Sequence, residues 1–348
     1  MANEPAPNLA AVIKTARATI TPETRPIPKP EPDEIVVRNY AIAGNPADWK
    51  LQSAVSYITK YPIVLGSDGC GVVHAVGSSV TKFKPGDRVT GFADVIISNK
   101  IDHGAWQTYT VLHEIATLKI PEFMSFEEGS TFPMAYATAA SAFFVNLQLP
   151  RPTGQVERSD KAMLIWGGAS AVGSASIQLA KQLGYKVFTT ASPKHHQYLK
   201  SFGASALFDY RDPDVASKIV EEAKSSGVKL DIGFDSIAEN DTAKVSADIL
   251  TATAGSSARL ALAMPWPEKH PKPTDVQLLD VMAALLFTKY ADTGSWFFND
   301  YLPDALEKGL FVPSPPVEIV DGGIEAAQEV FDRMKAGVSG KKLVVKVP

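Results

Sequence analysis

Met163-Leu164-Ile165-Trp166-Gly167-Gly168-Ala169-Ser170-Ala171-Val172-Gly173 begins as a short apolar strand and runs into a glycine-rich turn. Beyond the turn, Val172, Ala175, Leu179 and Leu183 recur at helical spacing, and Gly184 is placed to stop that helix. Strand, glycine turn and helix in this order present free backbone N–H groups at a helix N-terminus, the arrangement that receives a pyrophosphate. The stretch is not a clean G-x-G-x-x-G, so its weight comes from what surrounds it. The same alternation continues. Residues 185–190 are expected to form the next strand, Ser192-Pro193 to open a helix that Gly203 ends, and residues 206–209 to form a third strand. Asp212-Pro213 opens another helix, and 230–234 and 260–263 read as further strands. Repeated strand–helix units of this kind imply a doubly wound parallel sheet with right-handed crossovers, an α/β fold.

On that fold Gly168, Ala169, Ser170, Ala171, Val172 and Gly173 are the candidate pyrophosphate cradle, and Leu260 and Ala261 are expected cofactor contacts on a later strand. About 20 residues past the glycines, a site selective for NAD carries an acidic side chain for the ribose hydroxyls. This chain has Ala191-Ser192-Pro193-Lys194-His195 there. A carboxylate would repel a 2′-phosphate, whereas the Ser192 hydroxyl can donate a hydrogen bond and Lys194 offers a charge. Ser192, Pro193, Lys194 and His195 therefore favour NADPH. The competing reading is that Ser192 only caps a helix and Lys194 is solvated. Tyr210, after the third strand, is placed to close over the adenine side of the pocket.

The text before the turn is different. From Ile35 to Val89 the apolar residues sit in short β-branched runs such as Ile35-Val36-Val37 and Gly71-Val72-Val73, broken by glycine and proline, and a further strand is expected over 106–112. Ser125 and Glu128 have capping-box spacing, and residues 132–147 are rich in alanine, aromatics and leucine in the manner of a buried helix. Pro150-Arg151-Pro152-Thr153-Gly154 punctuates the chain. Near the end, 317–320 and 343–347 read as strands around an alanine-rich helix over 324–334, and the last strand is free to return to the first domain. At 348 residues two domains are expected: 1–130 with 316–348, and 131–315.

Hydrophobic residues at 45% and charged residues at 21% are ordinary for a globular protein. A net charge of -4 offers no basic stripe for nucleic acid, and the apolar stretch 134–149 is too short to span a membrane. The start, with Glu4 and two early prolines, lacks a basic-then-apolar leader, which points to a cytoplasmic protein. Cys70 is the only cysteine, so neither an internal disulfide nor a cysteine-rich zinc lobe is available.

Gly66-Ser67-Asp68-Gly69-Cys70-Gly71-Val72-Val73, Pro85-Gly86-Asp87-Arg88-Val89 and the 167–173 turn, in this order, resemble the medium-chain dehydrogenase/reductase superfamily over nearly the whole chain. Within it the chain looks like the zinc-free enoyl reductase and quinone oxidoreductase-like branch, which includes fungal trans-acting enoyl reductases. The resemblance implies a GroES-like β-barrel catalytic domain, a Rossmann domain and a cofactor cleft between them. Zinc alcohol dehydrogenases of the superfamily have a cysteine near position 45 and a Gly-His-Glu segment near Gly66. Here Asn45 and Ser67-Asp68 stand instead. His74, His103 and His113 remain, but histidines scattered through β-rich text are ordinarily plain polar residues, so no metal ligand is expected.

By the same resemblance, the segment Asn45-Pro46-Ala47-Asp48-Trp49-Lys50 passes beneath the nicotinamide: Asn45 and Lys50 would bond nicotinamide, ribose or substrate, Asp48 would hold the loop, and Ala47 and Trp49 would line it. Tyr57 is a candidate proton donor, with water the equal alternative and a packed aromatic the plain one. Ser339-Gly340-Lys341-Lys342 would turn back to the cofactor, with solvated lysines the plain alternative. Met134, Tyr136, Thr138 and Ser141, with Met282 and Leu286, are candidate substrate contacts or plain core. The expected activity is NADPH-dependent hydride transfer to a small-molecule or carrier-tethered α,β-unsaturated carbonyl compound, or to a quinone, by a monomer or homodimer. The alternative is a dinucleotide-binding partner or sensor in a biosynthetic assembly.

Overall fold

The structure is a computed structural model that describes residues 7–54, 57–152 and 161–348; Glu4 and the Thr153-Gly154 break lie outside the described residues. Two compact units emerge, one of Met1–Met134 with Phe287–Pro348, the other of Ala135–Leu286. In chain order the first contributes β1 (Asn8–Ile13), β2 (Thr21–Arg25), β3 (Glu34–Ala43), β4 (Ile63–Val64), β5 (Asp68–Val76), β6 (Arg88–Phe92), β7 (Tyr109–His113) and β8 (Thr117–Lys119). The second contributes β9 (Ala162–Trp166), β10 (Lys186–Thr190), β11 (Ala204–Phe208), β12 (Leu230–Asp235), β13 (Ala258–Leu262) and β14 (Val276–Asp280), and the chain returns to the first unit with β15 (Val317–Val320) and β16 (Lys342–Lys346).

The first unit is the curled, GroES-like sheet. Its strands run β15-β16-β3-β5-β6-β8, with β7 also on β3, beside a smaller sheet β2-β1-β4. The β-branched runs account for it, since Ile35, Val36 and Val37 of β3 are all fully buried. Strand β16 lies antiparallel to β3, with Val344 opposite Ala43, so the last strand does close the first unit. At its centre the Trp106 ring meets Phe331 edge-on at 5.7 Å. Gly66 makes room for this indole: its φ is +99°, and a Cβ there would stand 2.4 Å from Trp106 Cδ1.

The second unit is a parallel sheet in the order β11-β10-β9-β12-β13-β14. Counting within the unit, that is the Rossmann order 3-2-1-4-5-6. All five residues of β9 are buried, as a central strand covered on both faces requires. Observed boundaries shift modestly: the strands expected over 206–209 and 260–263 begin two residues earlier, at Ala204 and Ala258. Strand β14 has no counterpart in the reading of the sequence, because it is a half-exposed edge strand without a clean apolar run. The helix expected over 132–147 forms as an α-helix, Pro133–Ala140, continued by a π-helical turn, Ser141–Asn146. Among the described residues no helix is long and apolar enough to cross a membrane.

Candidate functional site

The first unit carries a buried polar cluster built on three adjacent strands. Ala43 of β3 is opposite both Val344 of β16 and Asp68 of β5, which brings the starts of β16 and β5 to the residues that follow β3, Gly44 and Asn45. There the Lys342 ammonium donates to Asn45 Oδ1 at 2.6 Å and to Asp68 Oδ2 at 2.8 Å. Asn45 Nδ2 donates to the same Asp68 oxygen at 2.8 Å, and the Met134 N–H donates to Asp68 Oδ1 at 2.7 Å. The side chains of Lys342 and Asp68 are 3% and 0% exposed, so this is an ion pair removed from water.

Asn45 also precedes the helix Pro46–Ser53, and Asp48 in its first turn reaches back to it. Asp48 Oδ2 accepts from the Asn45 backbone N–H and from Trp106 Nε1–H, both at 3.1 Å. Its Oδ1 is buried with no hydrogen-bond partner among the described residues. Burial pushes the Asp48 carboxyl from its ordinary 3.8 up to about 7, against those two hydrogen bonds. Asn45 and Asp48 thus meet in one network, in which Asp48 ties the start of the helix to Trp106. Ala47, Trp49 and Lys50 are half-buried on the same helix, with the Lys50 ammonium 5.8 Å from the Trp49 ring centre. Tyr57 is 47% exposed and lies outside the network.

The two lysines of the late segment go to different surroundings. Lys341 turns outward to Glu318, at 2.6 Å and with 56% of its side chain exposed, beside the exposed Ser339 and the turn at Gly340. The next residue goes inward. What the motifs did not report is that Lys342 and Asp68 meet; strand parity was the available signal for Lys342, which shares a face with Val344.

In the second unit the glycine turn forms as expected. Ser170 is the N-cap of the helix Ala171–Gln182, its hydroxyl accepting from the Gly173 N–H at 2.9 Å. The first-turn amides of Ala171 and Val172 have no carbonyl within the helix to bond. A Cβ at Gly173 would stand 2.2 Å from the Gly167 carbonyl oxygen, so only glycine lets helix and turn approach this closely. Gly168 donates its N–H to Thr190 at 2.9 Å, fixing the turn to β10, and Ala169 lies between it and the cap.

After β10, Ser192 precedes the short turn Pro193–His195, and its hydroxyl makes no capping hydrogen bond. The bland reading of Ser192 as a helix cap is thereby weakened. Pro193 and Lys194 are exposed, while Ser192 and His195 are half-buried. Burial, with the neighbouring Lys194 and His196 charges, lowers the His195 pKa from its ordinary value. Tyr210 is half-exposed beyond β11, with the Arg211 guanidinium 5.9 Å from its ring centre. Leu260 and Ala261 are fully buried and paired on both sides within the sheet, so their side chains serve the core. Ligands of open α/β sheets sit beyond the carboxyl ends of the strands, and for β13 that end is Leu262.

Two families match the chain: "Alcohol dehydrogenase GroES-like domain" over residues 31–122 and "Zinc-binding dehydrogenase" over residues 171–308. A trans-enoyl reductase of Aspergillus flavipes is 36% identical over 341 residues, covering 97% of this chain and 98% of the relative. The chain belongs to the medium-chain dehydrogenase/reductase superfamily, in its enoyl reductase-like branch. A trans-enoyl reductase of Aspergillus japonicus is 34% identical, with 90% of each chain covered. A quinone oxidoreductase of Pseudomonas syringae has the same fold, with a TM-score of 0.74 at 24% identity over 98% of this chain and 99% of that one. The protein is accordingly an oxidoreductase of a superfamily that binds nicotinamide dinucleotides.

For this medium-chain reductase the expected substrate contacts fall in different surroundings. Met134 is half-buried; Tyr136, Thr138 and Ser141 are buried, the last opening the π-helical turn. Met282 is 39% exposed and Leu286 fully buried. The histidines are not all scattered. His74 meets Tyr109 edge-on, but His103 and His113 stand with ring centres 5.6 Å apart, beside Glu34 and Asp94. Burial opposes the charge on Asp94, yet hydrogen bonds from His103 and His113 hold it well below the usual carboxylate range.

Proposed function

We propose that this reductase is NADPH-dependent and zinc-independent, and that its substrate is an α,β-unsaturated carbonyl compound, free or carried as a thioester. The observation that carries the reading is the Lys342 ammonium held between Asn45 and Asp68. By the resemblance, Asn45 stands where zinc alcohol dehydrogenases of the superfamily have a cysteine, and Ser67-Asp68 where they have His-Glu. An ammonium has three donors and no lone pair, and it already supplies the positive charge that Asp68 needs. A divalent ion there would meet a like charge and find too few donors for a catalytic zinc, which takes three protein ligands and an open position. Without a Lewis acid, reduction of a simple carbonyl loses its strongest activator, while addition to a conjugated double bond needs only weaker polarisation of the oxygen.

The residues fit the dinucleotide. The glycine cradle at 167–173, which a Cβ at Gly173 would force apart, suits a pyrophosphate on the Ala171 and Val172 amides. Lys194 and the uncommitted Ser192 hydroxyl suit a 2′-phosphate. When bound, NADPH supplies the hydride that reduces the β-carbon of the acceptor. Asp48 fixes the 45–50 segment by bonding both the Asn45 backbone and Trp106, and Lys342 fixes the Asn45 side chain, so the segment is held rigid from two sides.

Stopped-flow measurement of NADPH oxidation with enoyl thioesters, enones, quinones and aldehydes tests this. Turnover of the conjugated acceptors, unchanged by a zinc chelator, is expected. Turnover confined to simple alcohols with NAD would overturn the reading.

A further inference from the structure

We propose that Glu34, His103 and His113 form a binding site for one divalent transition-metal ion of the zinc type, separate from the Asn45–Asp68–Lys342 cluster. One ligand atom from each of the three lies within 4.8 Å of the others. The frame beneath them is rigid. Glu34 opens β3 and His113 ends β7, and the two are direct partners in the antiparallel ladder, which places their side chains on one face about 5 Å apart. His103 enters from the short turn Ile101–His103, six residues before β7 begins.

The donor types and their orientation suit such an ion. Two imidazoles and one carboxylate are the ligands of zinc and its neighbours, and a carboxylate and two histidines with an open fourth position form a recurrent three-ligand set. Asp94 supplies what such sites need behind the ligand: its Oδ1 lies 2.9 Å from His103 Nδ1, which fixes the ring and turns Nε2 toward Glu34, 3.2 Å away. Glu34 Oε1 is buried and without a hydrogen bond of acceptable geometry. This oxygen, on a side chain 2% exposed, faces His103 Nε2. The side chain of His113 is 28% exposed, which leaves an entrance from solvent and room for water in a fourth position. Its Nε2 also lies 3.6 Å from Asp94 Oδ2, and its Nδ1 3.5 Å from Asp33 Oδ2. Besides the His103 ring, the Lys100 ammonium lies 3.7 Å from Glu34 Oε1, but it bonds Glu31 at 2.8 Å and its side chain is 46% exposed, so it can swing clear.

Ligands of a tetrahedral ion stand about 3.3 Å apart when each is about 2.0 Å from it. Binding an ion therefore requires the three ligand atoms, now within 4.8 Å of one another, to draw together by side-chain rotation.

The test uses untagged full-length protein stripped with a chelator, titrated with Zn²⁺ by calorimetry and with Co²⁺ by visible absorption. One ion per chain is expected, with a raised Tm and a d–d spectrum of nitrogen and oxygen ligation. Glu34→Gln and His113→Asn, one nearly isosteric and one on a partly exposed side chain, should each weaken Zn²⁺ binding at least 10-fold and abolish the Zn²⁺-dependent rise in Tm, while both keep the circular dichroism of the parent. Failure of the parent protein to bind Zn²⁺ would overturn the proposal. So would unchanged affinity in both variants. Because the readouts are affinity and Tm, the outcome does not depend on the activity proposed above.

Discussion

Replacing Lys342 by methionine is the most direct perturbation of the first unit. Methionine keeps the side chain as far as Cε and removes the ammonium. What remains is Asp68, 0% exposed, holding a carboxylate with only the Asn45 amide and the Met134 N–H to bond it. Breaking a buried pair from one side costs about 3–5 kcal/mol, because a lone buried charge is left behind. For a unit of this size each kcal/mol lowers Tm by about 2–4 °C, so Lys342→Met should lower it by about 6–20 °C. Asp68→Asn should be comparably harmful, since it strands the ammonium. The double variant Lys342→Met/Asp68→Asn carries no buried charge, and neutral replacement of both partners is often near neutral, so it should recover to within about 2 kcal/mol of the parent. Differential scanning calorimetry of the four proteins reads both the single losses and their non-additivity. A loss under about 1 kcal/mol in Lys342→Met, or a double variant equal to the sum of its parts, would refute the buried pair and with it the reason for excluding a catalytic metal at Asn45 and Asp68.

Lys194→Ala should raise KM for NADPH about 10-fold, the loss of one charge-assisted contact, and leave KM for NADH unchanged; steady-state kinetics with both cofactors decides. Gly173→Ala would drive a Cβ to 2.2 Å from the Gly167 carbonyl oxygen, so the turn must open; NADPH affinity by fluorescence titration should fall at least about 10-fold while the protein stays folded. Asp48, raised by burial from 3.8 to about 7, binds its proton more tightly when folded than when unfolded, so its contribution to stability is full below about pH 4 and declines as pH rises toward about 7. Asp48→Asn should remove that decline, and urea denaturation from pH 4 to pH 8 should show a difference in slope of at most about 1.4 kcal/mol per pH unit between variant and parent.

The Rossmann half was legible because its signals are local. A strand, a glycine turn and a helical stripe lie within about 20 residues, and the Ser170 cap, the Gly184 stop and the Ser125–Glu128 capping box all form where the sequence places them. The edge strand Val276–Asp280 was not legible, since an edge strand half-open to water carries no continuous apolar run. In the first unit the functional pairings are long-range. Asp68 and Lys342 are 274 residues apart, and nothing local links them. His103 and His113 are close in sequence, yet their relation to Glu34 depends on the β3–β7 register, which no motif reports.

The choice between Lys341 and Lys342 shows what kind of information was missing. Both residues sit at the mouth of an apolar strand, and composition treats them alike. Side chains alternate along a strand, so a single pairing decides which one enters the core. That pairing is Val344 with Ala43, and the opposite side of Ala43 is paired with Asp68. Lys342, two residues before Val344, must then point to the same face as Val344, and Lys341 must point away, where it finds Glu318. A slip of one residue would exchange the two lysines and leave Asp68 buried without a counter-ion, at a cost of several kcal/mol. The ion pair and the register therefore enforce each other. The charge beside Asn45 is fixed by the closure of the barrel-like sheet, and any change that loosens β16 from β3 should disturb the 45–50 segment as well as the fold.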